Sequence, residues 1–154
     1  MFIGESTHTV DAKHRVFVPK RFQEQLDRDP DGNQVCVVSR GQDGCLYLFS
    51  EAGFERALLQ IDTDAFTGEQ QRKLQRLFFA YTHKVHLDSS GRLLIPEKLR
   101  SILGGSREVT MVGCLQRAEI WPKARWDAME EESDEEFEAL DRILRSRPSG
   151  GGEA

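Results

Sequence analysis

At 154 residues, with 38% apolar and 31% charged side chains, the chain has the composition of a soluble protein, built as one domain or two small intertwined halves. No window approaches the roughly 18 apolar residues of a membrane span, and the opening MFIGES lacks the basic start and apolar run of a secretory signal. Three cysteines form no paired framework and suit a reducing cytoplasm, while the net charge of −5 resides in residues 123–154, where ten acids meet five bases.

Residues 1–122 therefore balance, and their basic part is a unit that occurs twice. HTVDAKHRVFVPKRF (8–22) carries Lys13, Arg15, Lys20 and Arg21 against Asp11. HKVHLDSSGRLLIPEKLR (83–100) carries Lys84, Arg92, Lys98 and Arg100 against Asp88 and Glu97. Asp11, Arg15, Pro19 and Phe22 are matched by Asp88, Arg92, Pro96 and Leu99, each 77 positions on.

In chain order, each unit opens on a turn. In D-S-S-G-R, Asp88 is placed to accept backbone N–H bonds and Gly91 to adopt the left-handed conformation, a three-residue hairpin loop ending in a bulge. In D-A-K-H-R, His14 stands at the glycine position and can enter that conformation at some cost. The triplets VFV and LLI read as short buried strands, each running into a proline that suits a first helical turn. PKRFQEQL and PEKLRSIL then set Phe22 with Leu26, and Leu99 with Leu103, on one helix face. DRDPDGNQ (27–34) reads as a loop. VCVVS, CLYLF, EVTMVG and AEIW read as the remaining strands.

The closing segments also correspond: Phe49 and Phe54 in LYLFSEAGFERAL fall on Trp121 and Trp126 in AEIWPKARWDAM, 72 positions on. Each half is thus a hairpin, a short helix, two more strands and a closing helix. Between the halves, GEQQRKLQRLFFAY (68–81) places Leu74, Leu77, Phe78 and Tyr81 at helical spacing. The tail helix, about 123–145, sets Trp126, Met129, Phe137, Leu140 and Leu144 along a stripe interrupted by Ser133, with acids opposite. Such stripes cover a core or pack on another subunit. RPSGGGEA is expected to be disordered.

The residues leave two uses for the repeated turn. Asp and Arg can staple it, worth only about 0–1 kcal/mol as an exposed ion pair. Alternatively, basic tips can meet DNA, with arginine reading guanine in a major groove and lysine neutralising phosphate.

The opening MFIGE, then HTVDAKHRVFVP, DGCLYLF, LDSSGRLLIP and AEIWPKARW, in that order and with that duplication, resemble the MraZ family across about residues 1–145. The resemblance implies an α+β fold of two swapped-hairpin, AbrB-type β-barrel halves with short flanking helices and a C-terminal helix. It implies a ring-like homo-oligomer that binds double-stranded DNA at short direct repeats upstream of its own operon, in the division and cell-wall gene cluster. Its DNA-binding region maps to Asp11 with Arg15 and Asp88 with Arg92, to which Lys13 and His14 are added here. The first unit is favoured as main reader because Lys13 sits in its turn, where the second has Ser89 and Ser90. Asp11 and Asp88 are expected to shape the turns, and His14 departs from the family's glycine.

The expected layout is a first repeat over 1–66, a connecting helix over 67–81, a second repeat over 82–126, an acidic helix over 127–145 and a disordered end over 146–154. The protein is expected to be cytoplasmic and nucleoid-associated, without membrane, cofactor, metal or small-molecule substrate.

Three rival readings compete with this one. For an enzyme, no G-x-S-x-G, P-loop, H-E-x-x-H or C-x-x-C appears, and Cys45 lies in an apolar strand where a small buried residue is expected. For a metal site, His83 and His86 lie three apart, on opposite sides of a strand. An oligomeric interaction or nucleoid-associated protein without strong sequence specificity would rest on the acidic tail and the 68–81 helix. There Arg72, Lys73 and Arg76 form either a second DNA surface or, as favoured here, a solvated face.

Overall fold

The computed structural model describes residues 1–60 and 68–145, so the end of the first expected repeat and the expected disordered tail lie outside the described residues. The chain divides into two units, Met1–Lys123 and a second beginning at Ala124.

The first unit is a mixed α and β structure whose strands pair antiparallel, built from two copies of one element series. The first copy comprises β1 (Glu5–Thr9), β2 (Arg15–Phe17), α1 (Lys20–Gln23), β3 (Asp27–Arg28), β4 (Gln34–Arg40), β5 (Leu46–Phe49) and α2 (Glu51–Leu58). After α3 (Glu69–Ala80) come β6 (His83–His86), β7 (Arg92–Leu94), α4 (Glu97–Arg100), a single 3-10 turn (Ser101–Leu103), β8 (Glu108–Gly113) and β9 (Ala118–Pro122).

The expected hairpins are only turns. Asp11 N–H donates to the Arg15 carbonyl at 2.9 Å and Asp88 N–H to the Arg92 carbonyl at 3.0 Å, but the strands then separate. β1 pairs with β8, while β6 pairs with β4, so each copy gives its first strand to the other's sheet. β2 pairs instead with β7, forming a two-stranded ribbon. The reason lies in burial across the copies. VFV and LLI bury Val16 and Leu93 opposite each other, whereas the polar, alternating ESTHT suits a strand with one covered face.

Val16 and Leu93 are repeat mates, 77 positions apart, and they sit opposite each other in the ribbon. In the larger sheet Tyr47 sits opposite Glu119, its mate 72 positions on, where β5 meets β9. The two copies are thus related by an approximate two-fold axis through both pairs. The larger sheet runs β1-β8-β9-β5-β4-β3 with β6 added at β4, an open path. Separate closed barrel halves are not formed by this pairing, because the exchanged strands put both copies into one sheet.

The core follows the predicted apolar pattern. Phe22 and Leu99 are fully buried, Leu26 and Leu103 lie below them at i+4, and all four join Val16, Val18, Leu93 and Ile95 in one cluster. Pro19 and Pro96 cap the short helices with φ of −52° and −55°. β4 is buried along Val35–Ser39, as expected for a strand with neighbours on both edges. The predicted loop over 27–34 begins with two strand residues paired to β4, then turns at Asp29, whose Oδ1 accepts from the N–H groups of Asp31 and Asn33 at 2.9 Å. Ser50 caps α2 by accepting from Gly53 N–H at 2.9 Å.

In α3 the predicted stripe splits. Phe78 stacks on Phe54 at 6.2 Å, and Tyr81 packs on the core beneath Arg40 and Lys98. Leu74 and Leu77 stay exposed.

The second unit continues α5 (Lys123–Glu132), followed by α6 (Asp134–Glu138) and α7 (Leu140–Arg145). The single predicted tail helix is broken twice. At Ser133 the side-chain hydroxyl donates back to the Met129 carbonyl at 2.7 Å, competing with the helical ladder. A second interruption falls at Ala139, with φ −87° and ψ 0°. Among the described residues, no helix is long and apolar enough to cross a membrane.

Candidate nucleic-acid interface

Both D-x-x-x-R turns have the same geometry. Asp11 Oδ1 accepts from Lys13 N–H and Arg15 N–H at 2.9 Å each, and Oδ2 meets Arg15 Nε at 2.8 Å. Asp88 Oδ1 accepts from Ser90 N–H and Arg92 N–H at 2.9 Å each, and Oδ2 meets Arg92 Nε at 2.7 Å. The bonds from the arginine backbone N–H groups are the largest influence holding both carboxyls below their ordinary range, followed among the lowering contributions by the arginine side chains. The aspartates therefore shape the turns, as the turn chemistry predicted.

Each arginine is fixed at Nε, and the two terminal nitrogens of its guanidinium are not used by that contact. Pairing then places Arg15 opposite Leu94 and Phe17 opposite Arg92 on the ribbon. Val16 and Leu93 point into the core, so these four residues share the outer face, where Phe17 and Leu94 are exposed. Arg92 lies over the Phe17 ring at 5.9 Å. The result is one ribbon face carrying two buttressed arginines and two apolar side chains in two-fold arrangement, with a turn at each end. Phe17 and Leu94, repeat mates, were not singled out from the sequence, although their 77-residue spacing and alternation with Val16 and Leu93 were the available signal.

The turns differ at their third loop residue. His14 adopts φ 62° and Gly91 φ 82°, both in the left-handed region. Gly91 is buried, and a Cβ there would run into the side-chain amide of Gln23, which donates to the Val18 carbonyl at 2.7 Å. At the first turn the corresponding bond comes from Arg100, whose Nε donates to the Ile95 carbonyl at 3.0 Å. There a cavity of about 230 Å³ opens among Val10, His14, Arg100, Leu103 and Arg107, leaving space for an imidazole. The first end of the ribbon thus gathers Lys13, His14, Arg100 and Arg107, whereas the second presents Ser89 and Ser90. Arg107 escaped the sequence reading because it lies outside the duplicated unit and arrives through the Val10 N–H bond to its carbonyl at 2.7 Å.

Groups considered for other chemistry are placed differently. Cys45 donates its thiol to the Gln42 carbonyl at 3.2 Å, and burial pushes its pKa up to about 12, so it is protonated at neutral pH. His83 and His86 lie on β6 with opposite orientations, as expected for a strand; His86 Nε2 meets Asp29 Oδ2 at 2.9 Å. Among the described residues, no group of three or more His, Cys, Asp or Glu side chains is placed to hold a metal ion.

Fold and ribbon together define a two-repeat α and β protein with a duplicated, aspartate-buttressed arginine turn. A family model described as "MraZ protein, putative antitoxin-like" matches residues 1–77 and again 78–146. The transcriptional regulator MraZ of Moorella thermoacetica (strain ATCC 39073 / JCM 9320) is 34% identical over 140 residues, 91% of this chain and 94% of the relative. The chain belongs to the MraZ family.

Proposed function

We propose that the protein is a sequence-specific DNA-binding transcriptional regulator that reads short direct repeats upstream of its own operon, in the division and cell-wall gene cluster. It acts as a ring-like homo-oligomer of swapped-hairpin, AbrB-type halves in the cytoplasm, associated with the nucleoid. The exchange of β1 and β6 between the two copies supports the swapped-hairpin part of this reading.

The observation that carries the DNA reading is the ribbon face. Asp11 and Asp88 hold the Nε atoms of Arg15 and Arg92 at 2.8 and 2.7 Å, which orients the remaining guanidinium donors before any ligand arrives. A two-stranded ribbon fits a major groove, and an oriented guanidinium can engage guanine O6 and N7. Lys13, beside Arg15, can neutralise a phosphate, and His14 extends the same tip. Phe17 and Leu94 supply apolar surface suited to thymine methyl groups. One ribbon offers few contacts, and several ribbons on one oligomer multiply the affinity for repeated sites.

Salt dependence tests the reading. Binding to a promoter fragment, followed by fluorescence anisotropy between 50 and 200 mM salt, should weaken steeply with a linear log–log slope. Salt-independent binding, or none at the lower salt, would remove DNA as the partner and favour an oligomeric interaction protein.

A further inference from the structure

Two exposed surfaces have complementary chemistry that the DNA reading does not use. The first is on α3. Leu74 and Leu77, i and i+3, are 60% and 51% exposed, and Lys73 and Arg76 flank them on adjoining turns. Phe78, one turn on from Leu74, anchors the adjoining side of the helix by stacking on Phe54. An apolar patch edged by cations therefore faces solvent.

The second is the end of the second unit. Phe137, Leu140 and Leu144 follow at i, i+3 and i+7, and Phe137 and Leu144 are 71% and 64% exposed. Around them the α6 sequence DEEFE carries Asp134, Glu135, Glu136 and Glu138, all exposed, with no base. The α6 part of the tail thus edges its apolar side chains with anions, while α7 adds Arg142 and Arg145. Each surface lacks what the other has: apolar area needs cover, and each charge set is matched by its opposite.

We infer that the α3 face carrying Lys73, Leu74, Arg76 and Leu77 receives the α6–α7 segment of a second copy of this chain. The leucines and Phe137 close the apolar centre, while Lys73 and Arg76 meet the carboxylates of α6 at the rim. The two patches are different surfaces, so the contact is head-to-tail and each copy keeps one free patch of each kind. Repetition extends the assembly, and closure makes a ring. The inference rests on the ring-oligomer reading and supplies its contact. It also gives the acidic tail a role: filling the α3 cations keeps them from becoming a second, unspecific DNA surface.

The test uses the full chain and light scattering after gel filtration. Wild type should run as an oligomer, and Lys73→Glu with Arg76→Glu should lower the mass toward the 17.6 kDa of one chain while circular dichroism stays unchanged. Combining these with Glu135→Lys and Glu138→Lys should restore the oligomer. A second measurement mixes two differently tagged chains in a Cys114→Ser background, one with Leu77→Cys and one with Leu140→Cys. A disulfide-linked product containing both tags is expected. An oligomer unchanged by charge reversal, or a bridge formed only within one chain, overturns this contact and leaves the ring reading standing. A monomeric wild type overturns both.

Discussion

Asp11 holds Arg15 twice, with Oδ1 at 2.9 Å from its backbone N–H and Oδ2 at 2.8 Å from Nε. The same two bonds tie Arg92 to Asp88. The sequence left open whether the aspartate–arginine pair staples a turn or presents a reader. The geometry shows the staple, and a staple through Nε also orients the rest of the guanidinium.

This makes Arg15→Lys informative. Lysine keeps the charge but has neither Nε nor the planar fork, so the turn loses its staple and a guanine contact loses its geometry. Promoter affinity is expected to fall by about 1–3 kcal/mol, and affinity for unrelated DNA much less. Anisotropy titrations on both DNAs check this; an equal loss on both would make Arg15 a phosphate contact.

The third loop residue should respond oppositely in the two turns. His14→Gly relieves a left-handed non-glycine residue, worth about 1–2 kcal/mol and partly offset by the freer unfolded chain, so stability should rise slightly. Gly91→Ala places a Cβ at φ 82° against Gln23 and should destabilise by more than about 1 kcal/mol. Urea midpoints compare them, and a harmless Gly91→Ala would refute the crowding described here.

Core truncation should hit both copies with similar force. Phe22→Ala is expected to cost about 3–5 kcal/mol and Leu99→Ala about 2–5 kcal/mol, since both are fully buried in one cluster. Urea unfolding should be a single transition for the first unit in each variant. Two separable transitions would show that the copies fold independently, against the strand exchange.

Acid should loosen the turns. The Asp11 and Asp88 pKa values are lowered from 3.8 in the folded chain, so the folded state binds protons less readily there than the unfolded state. Their contribution is complete above the unfolded value and disappears as pH falls through the lower folded one. His8, lowered from 6.5 mainly by burial and then by Arg21, also favours folding less once pH drops below its ordinary value. A pH series of urea midpoints should therefore decline in two stretches, near neutrality and again below pH 4. Asp11→Asn with Asp88→Asn should flatten only the second.

Much of the fold was legible because the repeat is covalent information. Once 77-residue spacing is seen, Pro19 and Pro96, Phe22 and Leu99 announce two equal helices on one core. Strand partners were not legible: nothing local tells β1 to prefer β8 over β2, since pairing across the copies is decided by which faces bury Val16 and Leu93 together. For the same reason the turns could be read but not the ribbon face that adds Phe17 and Leu94. Arg107 was invisible because its place beside His14 depends on the chain's path through β8.

The buttressed arginines are proposed to read DNA near this protein's own gene. The most direct measurement is a gel-shift titration with that upstream DNA, running wild type and Arg15→Ala beside scrambled DNA of equal length. Selective binding by wild type and its loss in the variant are expected, with folding intact by circular dichroism. Equal binding of both DNAs by both proteins would contradict this role for the arginines.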